Sequence, residues 1–345
     1  MIIGILKLLR IIKKDDESED RSKGEKTLFT GILIILCSVA LCGCQSNSQL
    51  IEPDITYSPP SQFLQSLPPA FPELAAEELQ KDWGKELLIA NSFALEMDLY
   101  RAITSYKRAL VLIPPKFIER RMQIEYGIIQ CYYLGKKFQE VVIFFDNSLL
   151  RTAPESFPAF DDLLIIIEDS YLQIGQHEKA YRIFGVIEAR TPEIASNLQL
   201  SEMLVNADFA SLQVRAGLPA CERFGPSLGF MLNDYHLRAK SVSKAQTLNA
   251  VLPGAGYYYV GQKRTALTSF VINALFIAAA YHFFDQGNIA AGIITASFET
   301  GWYFGGINGA GLAAKAYNEC LYGTSAKEYL LKQRLFPVLQ LHYSF

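Results

Sequence analysis

The chain has 345 residues, enough for about two domains of ordinary size, and it is 50% hydrophobic and 19% charged. A formal net charge of −3 gives no reason to expect nucleic acid or any other polyanion as a partner. Two apolar segments, one near each end, flank a middle that reads as soluble protein.

The first apolar segment is "TLFTGILIILCSVALCGC", Thr27 to Cys44, preceded by Arg21, Lys23 and Lys26 with the single acid Glu25 among them. A basic flank, a short apolar core and a small-residue exit describe a secretory signal rather than a spanning helix. The exit "LCGC" resembles the lipobox of bacterial lipoproteins, with Leu41 at minus three, Gly43 at minus one and Cys44 as the residue to be lipidated. Only a thiol can take the diacylglyceryl thioether, and Cys42 suits the position less because the bulky Leu41 precedes it. The alternative is an uncleaved anchor helix with incidental cysteines. The resemblance implies attachment to a bacterial envelope membrane, and Gln45 after the cysteine favours the outer one over the periplasmic face of the inner. Residues 1–26 form an unusually long lead, apolar and basic and then acidic. Residues 44–75, rich in Ser, Gln and Pro, read as a flexible tether.

Three of the six cysteines, Cys37, Cys42 and Cys44, belong to the signal. Cys131, Cys221 and Cys320 lie far apart without ligand spacing, which allows one disulfide and argues against a metal site.

From about Leu79 to Pro192 the chain repeats. In "ANSFALEMDLYRAITSYKRALVLIPP", Ala90, Phe93, Ala102, Tyr106, Ala109 and Pro114 take small, aromatic, small, aromatic, small and proline positions. Tyr171, Gly175, Ala180, Phe184 and Pro192 form a second copy, and Gly127, Gly135, Phe144 and Pro154 a looser one between them. Each unit reads as two antiparallel helices, with small residues allowing close approach and a proline ending the second helix. This pattern resembles the tetratricopeptide repeat, although Pro114, Pro154 and Pro192 are 40 and 38 residues apart, above the usual length of about 34. The resemblance covers about a third of the chain and implies an α-solenoid whose concave face binds a protein or peptide partner, without catalysis. The alternative is a helical bundle whose spacing imitates repeats.

Catalytic patterns are scarce. His177, His236, His282 and His342 sit in no metal or nucleophile motif, and no cofactor is expected. The acids at 160–162 and 168–170 are read as helix-start carboxylates favoured by the macrodipole.

The second apolar region opens with "LPGAGYYYVGQKR", Leu252 to Arg264. Gly256 and Gly261 have phosphate-loop spacing, but Gln262 stands where lysine is needed and no strand precedes. "TALTSFVINALFIAAAYHFF", Thr265 to Phe284, runs 20 residues without a formal charge, long enough to cross a bilayer core. "DQGN" reads as a tight turn into a second apolar run, Ile289 to Ala314, interrupted by Glu299. There Gly301, Gly305 and Gly309 are expected to form a close-packing ridge. Tyr257, Tyr258, Tyr259, Trp302 and Tyr303 suit an interfacial belt. Pro253, Gly254 and Gly256, an aromatic, then a tyrosine and Gly261 make this region resemble a small bacterial membrane-hairpin domain from about Ala245 to Asn318. That resemblance implies no known activity, and Tyr257 stands where such domains often carry glutamine. Lys263 and Arg264 on the exported side oppose the positive-inside tendency. The entry stretch therefore dips into the membrane, the hairpin only touches a membrane face, or it is not in lipid. In the final residues Leu339, Leu341, Tyr343 and Phe345 alternate, and an extended tail packing on the hairpin is expected.

The expected fold is all-α: an α-solenoid of degenerate tetratricopeptide-like repeats followed by an apolar helical hairpin. The expected segments are a signal with a long lead (1–43), the lipidated cysteine and tether (44–75), the repeats (76–238), the membrane-associated hairpin (239–320) and a tail (321–345). The expected role is an envelope scaffold or adaptor, not an enzyme, held at membrane lipid. The alternative is a component of a membrane assembly or transport complex in which the hairpin is the working part.

Overall fold

The computed structural model describes residues 51–217 and 224–345. The signal-like segment, Cys44 and Cys221 lie outside the described residues. Regular structure among the described residues is helical, as expected, apart from one isolated bridge between Pro69 and Ser344. The chain divides into two compact units, one of residues 51–239 with 318–345 and the other containing residues 240–317.

The larger unit is built from α1 (Asp82–Leu95), α2 (Leu99–Leu112), α3 (Ile118–Leu134), α4 (Phe138–Asp146), α5 (Phe160–Gln173), α6 (His177–Arg190), α7 (Pro192–Val205), α8 (Phe209–Ala216) and α9 (Gly225–Arg238). Helices follow one another as packed neighbours along the chain. Four successive hairpins turn in the same way. Met97, Lys136, Gly175 and Ala207 each adopt a left-handed conformation (φ 62°, 55°, 74° and 51°). The next N–H then reaches back to a carbonyl five residues earlier: Asp98 to Phe93, Lys137 to Tyr132, Gln176 to Tyr171 and Asp208 to Met203, at 2.9–3.0 Å. This motif satisfies helix-end carbonyls that would otherwise lack a donor. Asp98 and Asp208 then cap the following helices by accepting from the Arg101 and Ser211 N–H groups. The turns recur 39, 39 and 32 residues apart.

That register explains the small and aromatic residues. Ala102, Val141, Ala180 and Leu212, each five residues past a turn, are all buried. Ala90, Tyr106, Ala109 and Tyr171 are buried too, while Phe93 and Phe184 are half-buried at the core edge. A Cβ on Gly127 would lie 2.6 Å from the Tyr106 ring, so that position must stay small for α3 to approach α2. The pattern's Gly175 serves a different purpose, as the left-handed turn itself.

Three expectations are corrected here. The segment expected as a flexible tether is folded onto the body from residue 51. Ile51, Ile55 and Leu64 are buried, and Arg120 binds Glu78 through two nitrogens (3.0 and 2.8 Å) and also the carbonyls of Pro72 and Glu73. Apolar side chains at 51, 55 and 64 outweigh the local Pro and Ser content that suggested a tether. The second apolar run does not end near residue 314 but is the start of α13, Ile289–Lys332, and residues 318–332 belong to the larger unit. Tyr322 there packs between Phe209 and Tyr235 (ring centroids 5.1 and 5.4 Å).

The tail packs on the helical body rather than on the hairpin. Leu335, Phe336, Val338 and Leu341 are buried in the main core, around a short 3-10 turn at Pro337–Gln340. The buried Asp162 accepts the His342 N–H at 3.0 Å, the Tyr343 N–H at 3.0 Å and the His342 ring Nδ1 at 2.9 Å. Gln130 donates to the Tyr343 carbonyl and Asn197 to Gln340. The alternation of the last residues was a signal of extended chain, and its acceptor lay 180 residues upstream.

In the smaller unit α10 (Val242–Val251) leads through a glycine turn into α11 (Ala255–Val260), α12 (Lys263–Asp285) and the start of α13. Gly254 is left-handed (φ 91°), and a Cβ there would meet the Ala266 carbonyl oxygen at 2.3 Å. A Cβ on Gly256 would meet the Ala245 carbonyl at 2.2 Å and the Ala310 Cβ at 2.7 Å. Buried Asn249 accepts the Gly254 N–H at 2.9 Å, locking the turn that follows Pro253. Gly261 (φ 97°) ends α11. The stretch "LPGAGYYYVGQKR" is therefore a compact turn, one short helix and the first two residues of α12.

Candidate functional site

The first helices of three successive hairpins, α3, α5 and α7, supply Gln130, Asp162 and Asn197 to hold the tail. The protein's own C-terminal chain therefore lies along these three helices. Beside the tail an open cleft of about 400 Å³ remains, within the larger unit. Its walls are the extended segment 53–59, the α3–α4 turn, α5, α7 and residues 336–338. The Tyr57 and Phe336 rings stack at 5.0 Å and join the two extended segments at its rim.

Two neighbouring carboxylates of α5 line the cleft in contrasting states. Asp169 accepts the Tyr133 hydroxyl at 2.6 Å and the Gln173 amide at 3.1 Å. Glu168, although only 4% exposed, receives no hydrogen bond from any described residue. Burial pushes its carboxyl up to about 8, and the nearby charges of Asp169 and Glu202 push in the same direction. The Asp169 carboxyl is also raised by burial, with the Tyr133 and Gln173 hydrogen bonds pulling against it.

The reading of 168–170 as helix-start acids is corrected by this geometry. Helix α5 begins at Phe160, so Asp161 and Asp162 lie in its first turn, whereas Glu168 and Asp169 lie in its third. The macrodipole does not favour acids there. The hairpin register could have shown this, since Glu168 stands seven residues before the Gly175 turn, where the other hairpins have Ala90, Ile129 and Leu200.

Of the histidines, His177 is exposed at the start of α6 and lines the cleft. His342 pairs with Asp162, a partnership that no local motif announces. Its imidazole is raised above the usual value, chiefly by that hydrogen bond. Cys131 and Cys320 are free, the first buried and the second exposed, so they are not linked to each other. Among the described residues no group of three or more His, Cys, Asp or Glu is placed to hold a metal ion.

The residues singled out for a membrane hairpin all lie in the smaller unit. Gly309 abuts the Tyr257 hydroxyl, but Gly301 and Gly305 are exposed and meet nothing within 4 Å among the described residues. The packing stripe of α13 is instead Tyr303, Gly306, Ala310 and Ala314, at helical three- and four-residue spacing. Gly301 and Gly305 each stand two residues from Tyr303, about 200° around the helix, and so face away from that stripe. Among the tyrosines expected at an interface, Tyr258 is exposed and Tyr303 is buried, donating to the Ala250 carbonyl. Lys240 and Lys244 both lie 5.0 Å from the Tyr259 ring. Glu299 is buried, and neither carboxylate oxygen has a hydrogen-bond partner among the described residues.

No protein-family model matches the chain, and no curated protein or solved structure matches it either, so the functional reading rests on its own geometry.

Proposed function

We propose that this protein is a membrane-held adaptor of the bacterial envelope. In this reading its hairpins stack as an α-solenoid of degenerate tetratricopeptide-like repeats that binds a protein partner, while lipid at Cys44 and residues 240–317 hold it at the membrane. The observation that carries the binding role is the open cleft on a run of like hairpins. Their common turn supports a repeated unit, as do contacts of α1 with α3 and of α3 with α5 across successive pairs. The tail occupies part of α3, α5 and α7, and the cleft beside it is the proposed opening for a partner.

The membrane role is supported by α12, which has 23 residues and contains an 18-residue window of mean hydropathy 1.6, and is long and apolar enough to cross a bilayer. Its side chains Leu267, Phe270 and Leu275 are exposed, as are Phe298 and Trp302 on α13. Such apolar surface is costly in water and favourable in lipid. A Cβ on Gly292 would touch Phe284, and one on Gly306 would lie 3.9 Å from the Ser269 hydroxyl. These pairs are nearly equidistant from the turn at Gly287, as an antiparallel helical hairpin requires. Glu299 favours the second reading, a membrane assembly component, because an acid without a donor in an apolar unit marks a functional position.

The adaptor reading is tested in cells with a photo-crosslinking side chain placed at Glu202 or Asn206 on the cleft, or at exposed Arg182 as a control. A discrete protein adduct is expected from the cleft positions in the membrane fraction and none from Arg182. No adduct from either cleft position would contradict the adaptor.

A further inference from the structure

The buried carboxylates of the larger unit are provided for, with one exception. Glu125 accepts the Leu149 N–H at 2.8 Å, Asp162 accepts the tail, and Asp169 accepts Tyr133 and Gln173. Glu168 is buried to the same degree and accepts nothing from the described residues. It is 4% exposed and keeps only its contact with the open cleft, so no described residue supplies a donor for the carboxylate. Helix packing does not call for it either. At the equivalent place in the other hairpins Ala90, Ile129 and Leu200 are fully buried apolar residues. An apolar side chain at 168 would serve the fold better, so the acid points to something outside the fold.

The acids lining the cleft are Asp54, Glu168, Asp169 and Glu202, against one lysine, Lys136, with His177 also in the wall. Glu168 forms no ion pair with Lys136 and no hydrogen bond with His177, both of which are at the surface. Aromatic rings of Tyr57, Tyr133 and Phe336 stand in the same walls.

We infer that this cleft binds a cationic nitrogen group, an ammonium or a guanidinium, with Glu168 as its principal acceptor and Asp169 and Glu202 as flanking charges. The inference rests on the reading of the helical body as a binding module and names the chemistry of what it binds. A nitrogen cation brings the donors Glu168 lacks and relieves the mutual repulsion of three neighbouring acids. Aromatic walls suit the same group, since ring faces attract cations. A metal ion is less suited, because the acids do not converge into a ligand cluster. The cation comes either from a basic side chain of a peptide or from a free amine.

Calorimetric titration of the full chain in detergent micelles tests this with spermidine, a capped Ala-Arg-Ala peptide, and the same peptide carrying neutral citrulline. Saturable binding is expected for at least one cationic probe and not for the citrulline peptide. Glu168→Gln keeps the shape and removes the charge, and is expected to weaken binding by about tenfold or more. The same variant is expected to be about as heat-stable as the parent, because it removes no protein hydrogen bond and a carboxyl raised to about 8 is mostly neutral near pH 7. Absence of saturable binding by both cationic probes overturns the assignment, as does undiminished binding by Glu168→Gln. Spermidine binding without peptide binding upholds the site and contradicts the protein adaptor. Crosslinking from Glu202 without any cation binding does the reverse.

Discussion

Gly256→Ala is expected to destabilise the 240–317 unit by about 2 kcal/mol or more, and Gly254→Ala by more still. The added Cβ at 256 falls 2.2 Å from the Ala245 carbonyl and 2.7 Å from the Ala310 Cβ, both held by helix backbone. Neither can rotate away, so α11 must move from α10 and α13 together. At 254 the same crowding, against the Ala266 carbonyl, adds to a left-handed backbone that costs an L side chain roughly 1–2 kcal/mol. Gly301→Ala and Gly305→Ala should act oppositely, because they sit inside α13 facing open space and gain helix propensity of up to about 1 kcal/mol each. Thermal unfolding in micelles separates the two classes. Equal losses from all four substitutions would mean that the packing side of α13 is misassigned.

Asp162→Ala is expected to release the tail, at a cost of about 3 kcal/mol or more. The side chain is wholly buried and gathers two backbone N–H groups and an imidazole. Removing it leaves those donors without an acceptor, while Leu335, Phe336 and Leu341 lose the clamp that seats them. Hydrogen exchange should rise sharply across residues 335–345 and much less in α1 and α2. The pH dependence has a definite sign. Folding raises the His342 imidazole above its unfolded value of about 6.5. Its contribution is therefore complete below that value and is lost as pH rises through the higher folded one. The ring is half-exposed and solvent screens the pair, so this component is small beside the loss of the buried acceptor. In Asp162→Asn the His342 titration, followed by NMR, should fall back toward about 6.5.

What could be read from the sequence was what is local. Ala102 and Ala180 are small for a reason that repeats with the hairpin, so they stand out from a single chain. The glycines at 254 and 261 announce left-handed turns, because few other residues adopt them readily. The tail was not legible, since its acceptor Asp162 lies 180 residues away and no spacing rule connects them. Proline and serine between residues 51 and 75 concealed the anchoring role of Ile51, Ile55 and Leu64. Glu168 was hidden by its neighbourhood, for "EDS" after an apolar run resembles a helix start as readily as a mid-helix acid. Counting back from Gly175 removes the ambiguity, but only once the turns are known to be equivalent.

The central claim is that residues 240–317 hold a binding body at a membrane independently of the signal and its lipid. Its most direct test is fractionation of residues 45–345 exported behind a cleavable signal that leaves no lipid. The account predicts that this protein stays in the membrane pellet after an alkaline carbonate wash and leaves it only with detergent. Recovery in the soluble fraction would contradict the account.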